Sequence, residues 1–238
     1  MGIAYNTNIV RDGLVLYLDA ANIKSYSGTG AVWNDLSGNG RNGSLVNGAS
    51  YNASNSGSIV FDGVDDNVPF GTILDMGTNS FSLYAWVKST STSVGNNNGI
   101  IYKRGTGASA SPGYRLNMPN GTFNLFIADG TTFNSLNSTL TTYNDGNWHN
   151  VVGVVNRQTN KMLMYVDGRL SNQMDITFST SINSEATVQL TVGALRLSGP
   201  AVYHPFLGNI SCVKIYNRAL SEQEVQQNFN ALRGRYNV

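Results

Sequence analysis

The stretch GNWHNVVGVVNRQTNKMLMYVDGRL, residues 146–170, decides the fold class. Two runs rich in apolar and β-branched residues, 149–156 and 161–168, flank a short polar segment. Strand-forming runs separated by a few turn residues are typical of an antiparallel hairpin. The sequence therefore predicts a hairpin whose loop is Arg157–Asn160.

Similar short runs recur along the chain between clusters of Gly, Ser and Asn. In FSLYAWVKS, residues 81–89, every second residue is apolar: Phe81, Leu83, Ala85 and Val87. This alternation indicates a strand with one face on a core. Many short strands punctuated by turns favour a β-sandwich or barrel, so we expect an all-β fold.

Composition excludes several classes of partner. The 238 residues are 41% hydrophobic and only 12% charged, with 15 basic and 14 acidic side chains. This balance gives no electrostatic attraction for a nucleic-acid backbone, and a chain of this length can bury one large core. We expect one large domain with no nucleic acid as partner.

The sequence contains one cysteine and shows no apparent targeting signal. No apolar stretch reaches the length of a membrane span, and MGIAYNTNIVRDG lacks the features of a signal peptide. The single Cys212 cannot form an internal disulfide and lies in a strand-like run, where we expect it to pack. We therefore expect no membrane insertion and synthesis in the cytoplasm of the producing cell.

The C-terminal region is the one segment with clear helix signals. Ser221 suits an N-cap and Glu224 completes a capping box, with the staple Leu220 and Val225 around it. Three apolar residues then share one helical face: Val225, Phe229 and Leu232. Gly234 follows as a stop signal, so we expect a short amphipathic helix packed on the sandwich.

The acidic stretch SIVFDGVDDN, residues 58–67, raises the question of a metal site. Asp62, Asp65 and Asp66 lie within five residues, but they lack the spacing and flanking helices of an EF-hand calcium loop. Asp62-Gly63 follows a strand-like run, where Asp-Gly favours a turn. We interpret the stretch as a sharp turn, with a metal site as the alternative.

The sequence shows no recognisable set of catalytic residues. Cleavage of a sugar bond requires two carboxylates on either side of it. The three glutamates fall in a loop and in the predicted capping turn: Glu185, Glu222 and Glu224. Three aspartates have no evident role and are interpreted as loop acids: Asp129, Asp145 and Asp175. His149 and His204 show no zinc-type spacing, and His149 is expected to form a structural hydrogen bond at a strand entry.

Five segments together resemble one known family, the laminin G-like, concanavalin A-like jelly-roll proteins. In chain order they are LSGNGRNGSL (36–45), SIVFDGVDDNV (58–68), FSLYAWVKS (81–89), the 146–170 hairpin and FLGNISCVKIYNRALSEQEV (206–225). The resemblance implies a jelly-roll sandwich of two antiparallel sheets with a short C-terminal helix. It also implies a concave face and rim loops that bind glycans or proteins. The expected domain is 13–233, with an N-terminal arm at 1–12 and a C-terminal tail at 234–238.

The resemblance also bears on calcium. Many relatives bind a structural calcium ion through an acidic residue near the first strand and an aspartate in the last strand. Asp19 matches the first position, but Ser211 stands at the second. Because a hydroxyl is a much poorer calcium ligand than a carboxylate, we expect no certain cofactor and keep Asp19 only as a weak candidate for this calcium site.

The two ends of the chain, residues 8–26 and 228–238, resemble single-domain forms of the family found in tailed bacteriophages. The resemblance implies a non-enzymatic protein of the virion surface, made in host cytoplasm and bound to other virion proteins. Host cell-surface glycans and further copies of the chain are the other expected partners. The alternatives are a purely structural decoration protein, a soluble carbohydrate-binding module and a polysaccharide-cleaving enzyme.

Glycan contacts in such a domain are expected in rim loops, through aromatic stacking and hydrogen bonds. Tyr203 and His204, in SGPAVYHPF, are the first candidates. Tyr114 and Arg115, directly after ASPG, are the second pair. The alternative interpretation of all four is that they anchor loops.

Overall fold

Two large antiparallel sheets, stacked face to face, and two short two-stranded sheets form the protein in a computed structural model that describes residues 8–54, 57–94, 98–105, 109–196 and 201–238. The strands are β1 Leu14–Asp19, β2 Val32–Trp33, β3 Gly43–Ser44, β4 Ser50–Asn52, β5 Ser58–Asp62, β6 Val68–Pro69, β7 Phe81–Lys88, β8 Gly99–Arg104, β9 Gly113–Asn117, β10 Asn124–Ala128, β11 Phe133–Asn137, β12 Trp148–Asn156, β13 Lys161–Val166, β14 Arg169–Asp175, β15 Thr191–Val192, β16 Leu195–Arg196, β17 Val202–Tyr203 and β18 Leu207–Tyr216. The two short sheets are β2–β3 and β16–β17. The helix α1 spans Glu222–Leu232, and 3-10 turns lie at Pro119–Gly121 and Arg233–Arg235. The expected all-β class with one C-terminal helix is confirmed.

The larger sheet has eight strands, in the order β14, β13, β12, β7, β18, β5 and β4, with β1 also beside β18. The long strand β18 organises this sheet. Along one edge its first half pairs with β5 and its second half with β1, while β7 pairs along the other edge. The predicted hairpin of β12 and β13 is confirmed, with Asn156 opposite Lys161 across the loop.

The smaller sheet has six strands, in the order β11, β10, β9, β8, β15 and β6. Its central strands are in direct register, so that Arg115 of β9 lies between Tyr102 of β8 and Phe126 of β10. Because side chains alternate along a strand, all three point to the same side of this sheet.

The main core fills the space between the sheets. It includes all four residues that alternation assigned to the inner face of β7: Phe81, Leu83, Ala85 and Val87. At Gly153 the sheets approach so closely that a Cβ would lie 2.7 Å from the Leu125 side chain. A larger residue there would force the Leu125 side chain out of its packed position.

The opposite face of β7 is buried as well. Tyr84 and Trp86 belong to a second apolar cluster, which α1 covers with Val225 and Leu232. The sequence predicted one buried face for this strand, and the helix adds the second. The capping box is confirmed, because the Ser221 hydroxyl accepts from the Glu224 N–H while the Glu224 carboxylate accepts from the Ser221 N–H.

The C-terminal segment, predicted as a tail from residue 234, lies folded against the eight-stranded sheet. Helix α1 ends at Leu232, and Gly234 lies inside the following 3-10 turn. The ring of Tyr236, only 4% exposed, stacks on Trp86 with 4.1 Å between ring centroids.

The start of the described chain is attached in the same region. Val10 donates its N–H to the Asn228 side chain of α1 over 2.9 Å. Residues 1–7 of the predicted arm lie outside the described residues. The remaining domain boundaries stay predictions. Among the described residues, no helix combines the length and apolar character needed to cross a membrane.

Candidate functional site

The acidic stretch after β5 forms a turn. The Asp62 carboxylate accepts the Val64 N–H, and the Asp66 carboxylate accepts the Asp62 N–H. Gly63 has a φ of 78°, in the left-handed region that glycine adopts without strain. The two hydrogen bonds and the left-handed backbone explain why the turn contains Asp62, Asp66 and Gly63.

The same turn brings three carboxylates together. Asp62, Asp65 and Asp66 each offer an oxygen within 4.8 Å of the others, and the first two are exposed. Burial, together with the charges of its two neighbours, raises the pKa of Asp66 although the Asp62 N–H opposes the shift. The hydrogen bonds within the turn therefore favour a structural role, with metal binding as the alternative that a calcium titration tests.

Asp19, the calcium candidate, is already neutralised by a cation from the chain itself. Arg235 donates to both carboxylate oxygens of Asp19, over 2.7 Å and 3.2 Å. Ser211, at the second position, donates to the Gly57 carbonyl and accepts from the Tyr236 hydroxyl. These residues do not fit a calcium ion, because a guanidinium occupies the carboxylate and the second ligand is engaged.

The two residues with the strongest reactivity in principle, His149 and Cys212, have structural roles. His149 Nδ1 lies 2.9 Å from Asp167 and Nε2 lies 3.2 Å from Asp145, which confirms the predicted structural hydrogen bond. Cys212 is fully buried in β18, and burial raises its pKa to about 11. A thiol of that pKa is protonated and a poor nucleophile at neutral pH.

The loop acids are bound locally. Asp129 accepts from Thr131 and Thr132 within its own turn. Asp175 pairs with Lys161 across neighbouring strands, over 2.8 Å. Glu224 is held by Arg218 through two hydrogen bonds of 2.8 and 2.6 Å. Each of these carboxylates therefore has an evident structural use.

We predicted that Tyr114, one of the four glycan candidates, lies in a rim loop, but the structure places it in the core. It lies in β9, is 1% exposed, packs on Phe81 and donates its hydroxyl to the Leu74 carbonyl. Because the neighbouring residue in a strand points the opposite way, Arg115 faces away from the core. Tyr114 is therefore a core residue, whereas Arg115 lies on the other side of the sheet and is 5% exposed. Both lie in a strand and not in a rim loop.

Arg115 belongs to what we call the outer face, the side of the six-stranded sheet that points away from the core. Its residues on the four consecutive strands β8–β11 are Tyr102, Arg104, Gly113, Arg115, Asn117, Asn124, Phe126, Ala128, Phe133, Ser135 and Asn137. Aromatic rings, guanidinium groups and side-chain amides dominate this set. The opposite side of these strands contributes mainly apolar residues to the core, among them Ile101, Leu116, Leu125 and Ile127.

The centre of the outer face is a row of direct cross-strand partners: Thr191, Tyr102, Arg115, Phe126 and Ser135. The Arg115 guanidinium lies 4.2 Å from the centroid of the Phe126 ring and 6.0 Å from that of Tyr102. These are cation–π distances. The row is continuous across five strands.

Phe133 extends this row toward the edge of the sheet. Its ring stacks on Phe126 at 5.3 Å and is 47% exposed, whereas Phe126 is only 4% exposed. Beside the row, Asn124 donates to Ser135 and to Asn137 over 2.8 and 2.7 Å. The outer face therefore has a buried floor and an exposed margin at β11.

His204 closes the other end of the row. Its ring stacks on Tyr102 at 5.8 Å, and its carbonyl accepts the Gly99 N–H. A Cβ at Gly99 would lie 2.6 Å from the Tyr102 ring, so glycine is required for this close packing. Tyr203, the preceding residue in β17, is 40% exposed.

Sequence reasoning missed Tyr102, Arg104 and Phe126. They lie in strands, whereas the candidates were sought in loops. Alternation in GIIYKR and TFNLFIA carries the signal that would have found them, because a strand with aromatic or cationic residues on its outer side marks a face that is not simply solvated.

A second concave region lies between the β13–β14 turn and α1. It has a volume of about 460 Å³ and exposed apolar walls that include Leu140, Leu170 and Val238. The cations Arg169 and Arg233 stand at its edge, and both are exposed. It lacks the cross-strand row of polar and aromatic groups that distinguishes the outer face.

The fold is similar to that of several solved toxin domains. The binding domain of Paraclostridial Mosquitocidal Protein 1 superposes with a TM-score of 0.70 and 18% identity, covering 93% of this chain and 52% of that one. The botulinum neurotoxin serotype D binding domain gives a TM-score of 0.68 and 15% identity, over 92% and 52% of the two chains.

A third structure concerns botulinum neurotoxin type C, whose cell entry is described as dependent upon interaction with two ganglioside molecules. It gives a TM-score of 0.65 and 17% identity, over 94% of this chain and 52% of that one. The chain thus spans about half the length of these structures, and at such identities the likeness concerns the fold alone.

Sequence comparison gives the family directly. No curated protein matches the chain. A laminin G family model, described as the concanavalin A-like lectin/glucanases superfamily, matches residues 61–226, which is more than half of the chain. The matched region runs from the end of β5 into α1 and includes the whole outer face on β8–β11. The chain belongs to the concanavalin A-like lectin/glucanase superfamily.

Proposed function

We propose that the protein binds glycans through the outer face and does not cleave them. The observation that carries this proposal is the cross-strand row in which Arg115 lies between the rings of Tyr102 and Phe126. Sugars present both a C–H face and hydroxyl groups. Aromatic rings stack on the first, and amide or guanidinium groups hydrogen-bond to the second.

The composition of the outer face supports binding without cleavage. Glycoside hydrolysis requires a pair of carboxylic acids at the scissile bond. The outer-face residues of β8–β11 include no Asp or Glu. The nearest acids along the chain, such as Asp129, are engaged in their own turns. Release of reducing ends from a polysaccharide by the purified protein would contradict this part.

The family and one similar structure add support of a weaker kind. Lectins are among the members of the superfamily to which the chain belongs. The similar toxin of type C is described as interacting with ganglioside molecules. Because this chain spans only about half of that structure, binding of a similar ligand by this protein is a proposal.

The direct test is a screen on immobilised bacterial and animal glycans, followed by calorimetric titration of each glycan that binds. Phe133→Ala should weaken binding about two- to twelvefold, because ring stacking contributes about 0.5–1.5 kcal/mol. Tyr203→Ala tests the candidate beside His204 in the same way. Both rings are substantially exposed, so the fold should tolerate their removal.

Leu140→Ala is the matched control. Leu140 is 58% exposed and lines the second concave region, away from the outer face. Binding that is lost in Leu140→Ala and retained in Phe133→Ala would place the site in that region. No binding to any glycan in the screen would contradict the proposed function.

We further propose that the protein acts on the surface of a virus particle, with other virion proteins and host glycans as partners. The resemblance of residues 8–26 and 228–238 to bacteriophage proteins supports this location. Density-gradient fractionation of the native source tests it, because a virion protein must travel with intact particles. Recovery only as free protein would favour a soluble carbohydrate-binding module.

A purely structural decoration protein is the second candidate function, and it requires docking segments at the chain ends. Burial of Tyr236 and the bond from Arg235 to Asp19 leave little of the C-terminal segment free to dock. The N-terminal residues 1–7 are therefore the segment to delete. Unchanged association with particles after that deletion would count against a docking arm.

A further inference from the structure

The outer face holds two guanidinium groups close to a single ring. The Arg115 and Arg104 guanidinium carbons lie 4.2 Å and 4.6 Å from the centroid of Phe126. Both side chains are 5% exposed. A buried cation is costly unless it is paired with an anion or fully hydrogen-bonded.

Arg115 has no carboxylate partner. Among the described residues, no carboxylate lies within ion-pair distance of its guanidinium. The remaining residues of the chain include no Asp or Glu that could supply one. Its Nε–H has no hydrogen-bond acceptor in the described part of the structure. The charge of Arg115 is therefore not compensated by an acid of this chain.

Burial and the positive charge of Arg115 together lower the pKa values of two neighbouring groups. Burial, and then the charges of Arg115 and Arg104, lower the pKa of His204 to about 4. Burial and the charge of Arg115 likewise lower the pKa of Arg104 to about 10. His204 is thus neutral at pH 7, and the two arginines repel each other across Phe126.

Unused hydrogen-bonding groups surround the same row. Within the described residues, the buried Thr191 hydroxyl, opposite Tyr102, has no hydrogen-bond partner. The same holds for the side-chain carbonyl oxygen of Asn124, next to Phe126 along the sheet. Buried polar groups are normally satisfied, so unpaired ones gathered on one face point to a polar ligand.

We propose that the ligand of the outer face is an anionic glycan, whose carboxylate or sulfate group pairs with Arg115 and is supported by Arg104. This inference rests on the proposed glycan-binding function and specifies its ligand class. The planar guanidinium matches carboxylate and sulfate oxygens through two parallel hydrogen bonds. The anion neutralises the charge of Arg115, while the exposed ring of Phe133, which rests on Phe126, provides the stacking surface for the sugar ring.

Matched pairs of glycans that differ only in charge test the inference. The probes are an oligogalacturonate hexasaccharide with its methyl ester, and sulfated dextran with unmodified dextran, each titrated into the wild-type protein. The charged member of at least one pair should bind about tenfold or more tightly than its neutral partner, because charge-assisted hydrogen bonds are the stronger kind. Its affinity should fall as sodium chloride rises from about 50 mM to about 500 mM.

Arg115→Gln should abolish the preference for the charged member, and Arg169→Gln, an exposed arginine beside the second concave region, should leave it intact. Thermal melts establish that each variant is folded. If Arg115→Gln does not fold, Arg115→Lys keeps the charge without the planar fork and should lose most of the preference.

Equal, salt-independent affinity for charged and neutral members would overturn the inference and leave glycan binding in place. Preferential binding of charged members that survives Arg115→Gln would overturn it as well, since the anion would then bind elsewhere. Failure of every glycan, charged or neutral, would overturn the proposed function together with the inference.

Discussion

The guanidinium of Arg235 binds the carboxylate of Asp19 through two hydrogen bonds, across 216 residues of sequence. Asp19 lies at the end of β1 and is 1% exposed, while Arg235 comes from the turn after α1. This ion pair fastens the C-terminal segment to the eight-stranded sheet. It also supplies, from within the chain, the positive charge that a calcium ion bound at Asp19 would bring.

Arg235→Gln is expected to lower the free energy of unfolding by about 3 kcal/mol or more, because it leaves the Asp19 carboxylate buried without its cation. Denaturation by urea measures the change. Arg233→Gln is the control: Arg233 is exposed two residues earlier, and its loss should cost less than about 0.5 kcal/mol. Similar losses in both variants would show that the ion pair contributes little.

Calcium is expected to leave the melting temperature of the wild-type protein unchanged. Arg235 occupies the Asp19 carboxylate, and the acids after β5 bind backbone N–H groups of their own turn. A ligand that binds only the folded state would raise the melting temperature with its concentration. Differential scanning calorimetry with calcium chloride and with a chelator measures this.

Two variants identify the site if calcium does stabilise the protein. A shift abolished by Asp66→Asn would establish the metal alternative for the acidic turn. A shift that persists in Asp66→Asn and disappears in Asp19→Asn would instead mean that calcium competes with Arg235 for the Asp19 carboxylate.

The stacking of Tyr236 on Trp86 gives a third prediction. Tyr236→Ala should cost about 3 kcal/mol, because it removes a buried ring. Tyr236→Phe should cost only about 1 kcal/mol, because it loses only the hydrogen bond to Ser211. Denaturation followed by tryptophan fluorescence measures both. Equal costs for the two variants would mean that the ring itself adds nothing.

Local patterns predicted much of this fold. The 146–170 hairpin and the Ser221–Glu224 capping box depend on residues close in sequence, whose turn and cap chemistry can be recognised directly. The inner face of β7 followed from alternation alone. The hairpin and the cap are right because their contacts are close in sequence. The inner face of β7 is right because alternation marks the buried side of a strand whichever strands pair with it.

Long-range register could not be predicted in the same way. Nothing local indicates that Arg235 reaches Asp19, or that Arg115 lies beside Tyr102 and Phe126. Tyr114 and Arg115 show how strongly the position of a side chain depends on register, because a shift of one residue exchanges the core side and the outer side of a strand. The candidate site arises from the pairing of five strands, so it becomes visible only when their register is known.

The pH dependence of stability provides a last prediction, at His149. Burial lowers the pKa of His149, but the hydrogen bonds and charges of Asp167 and Asp145 outweigh it, so the pKa is raised above the ordinary 6.5. The folded state therefore holds this proton more tightly than the unfolded state. The resulting stabilisation is fully present below pH 6.5 and is lost as the pH rises through the raised folded value.

His204 has the opposite sign. Its pKa is lowered to about 4, so the folded state binds the proton less tightly and stability is lost as the pH falls below 6.5 toward that value. A profile of the wild-type protein alone therefore mixes the two histidines. The difference between wild type and His149→Gln isolates His149, because His204 contributes equally to both proteins.

We expect this difference in the free energy of unfolding, from urea denaturation between about pH 5 and pH 9, to be largest at low pH and to shrink above 6.5. The exposed pair Lys161 and Asp175 gives a control, since Lys161→Gln changes an ion pair that contains no histidine. Parallel profiles of wild type and His149→Gln would mean that Asp145 and Asp167 do not hold the proton on His149. A difference that grows with pH would reverse the sign and require burial to dominate over the two carboxylates.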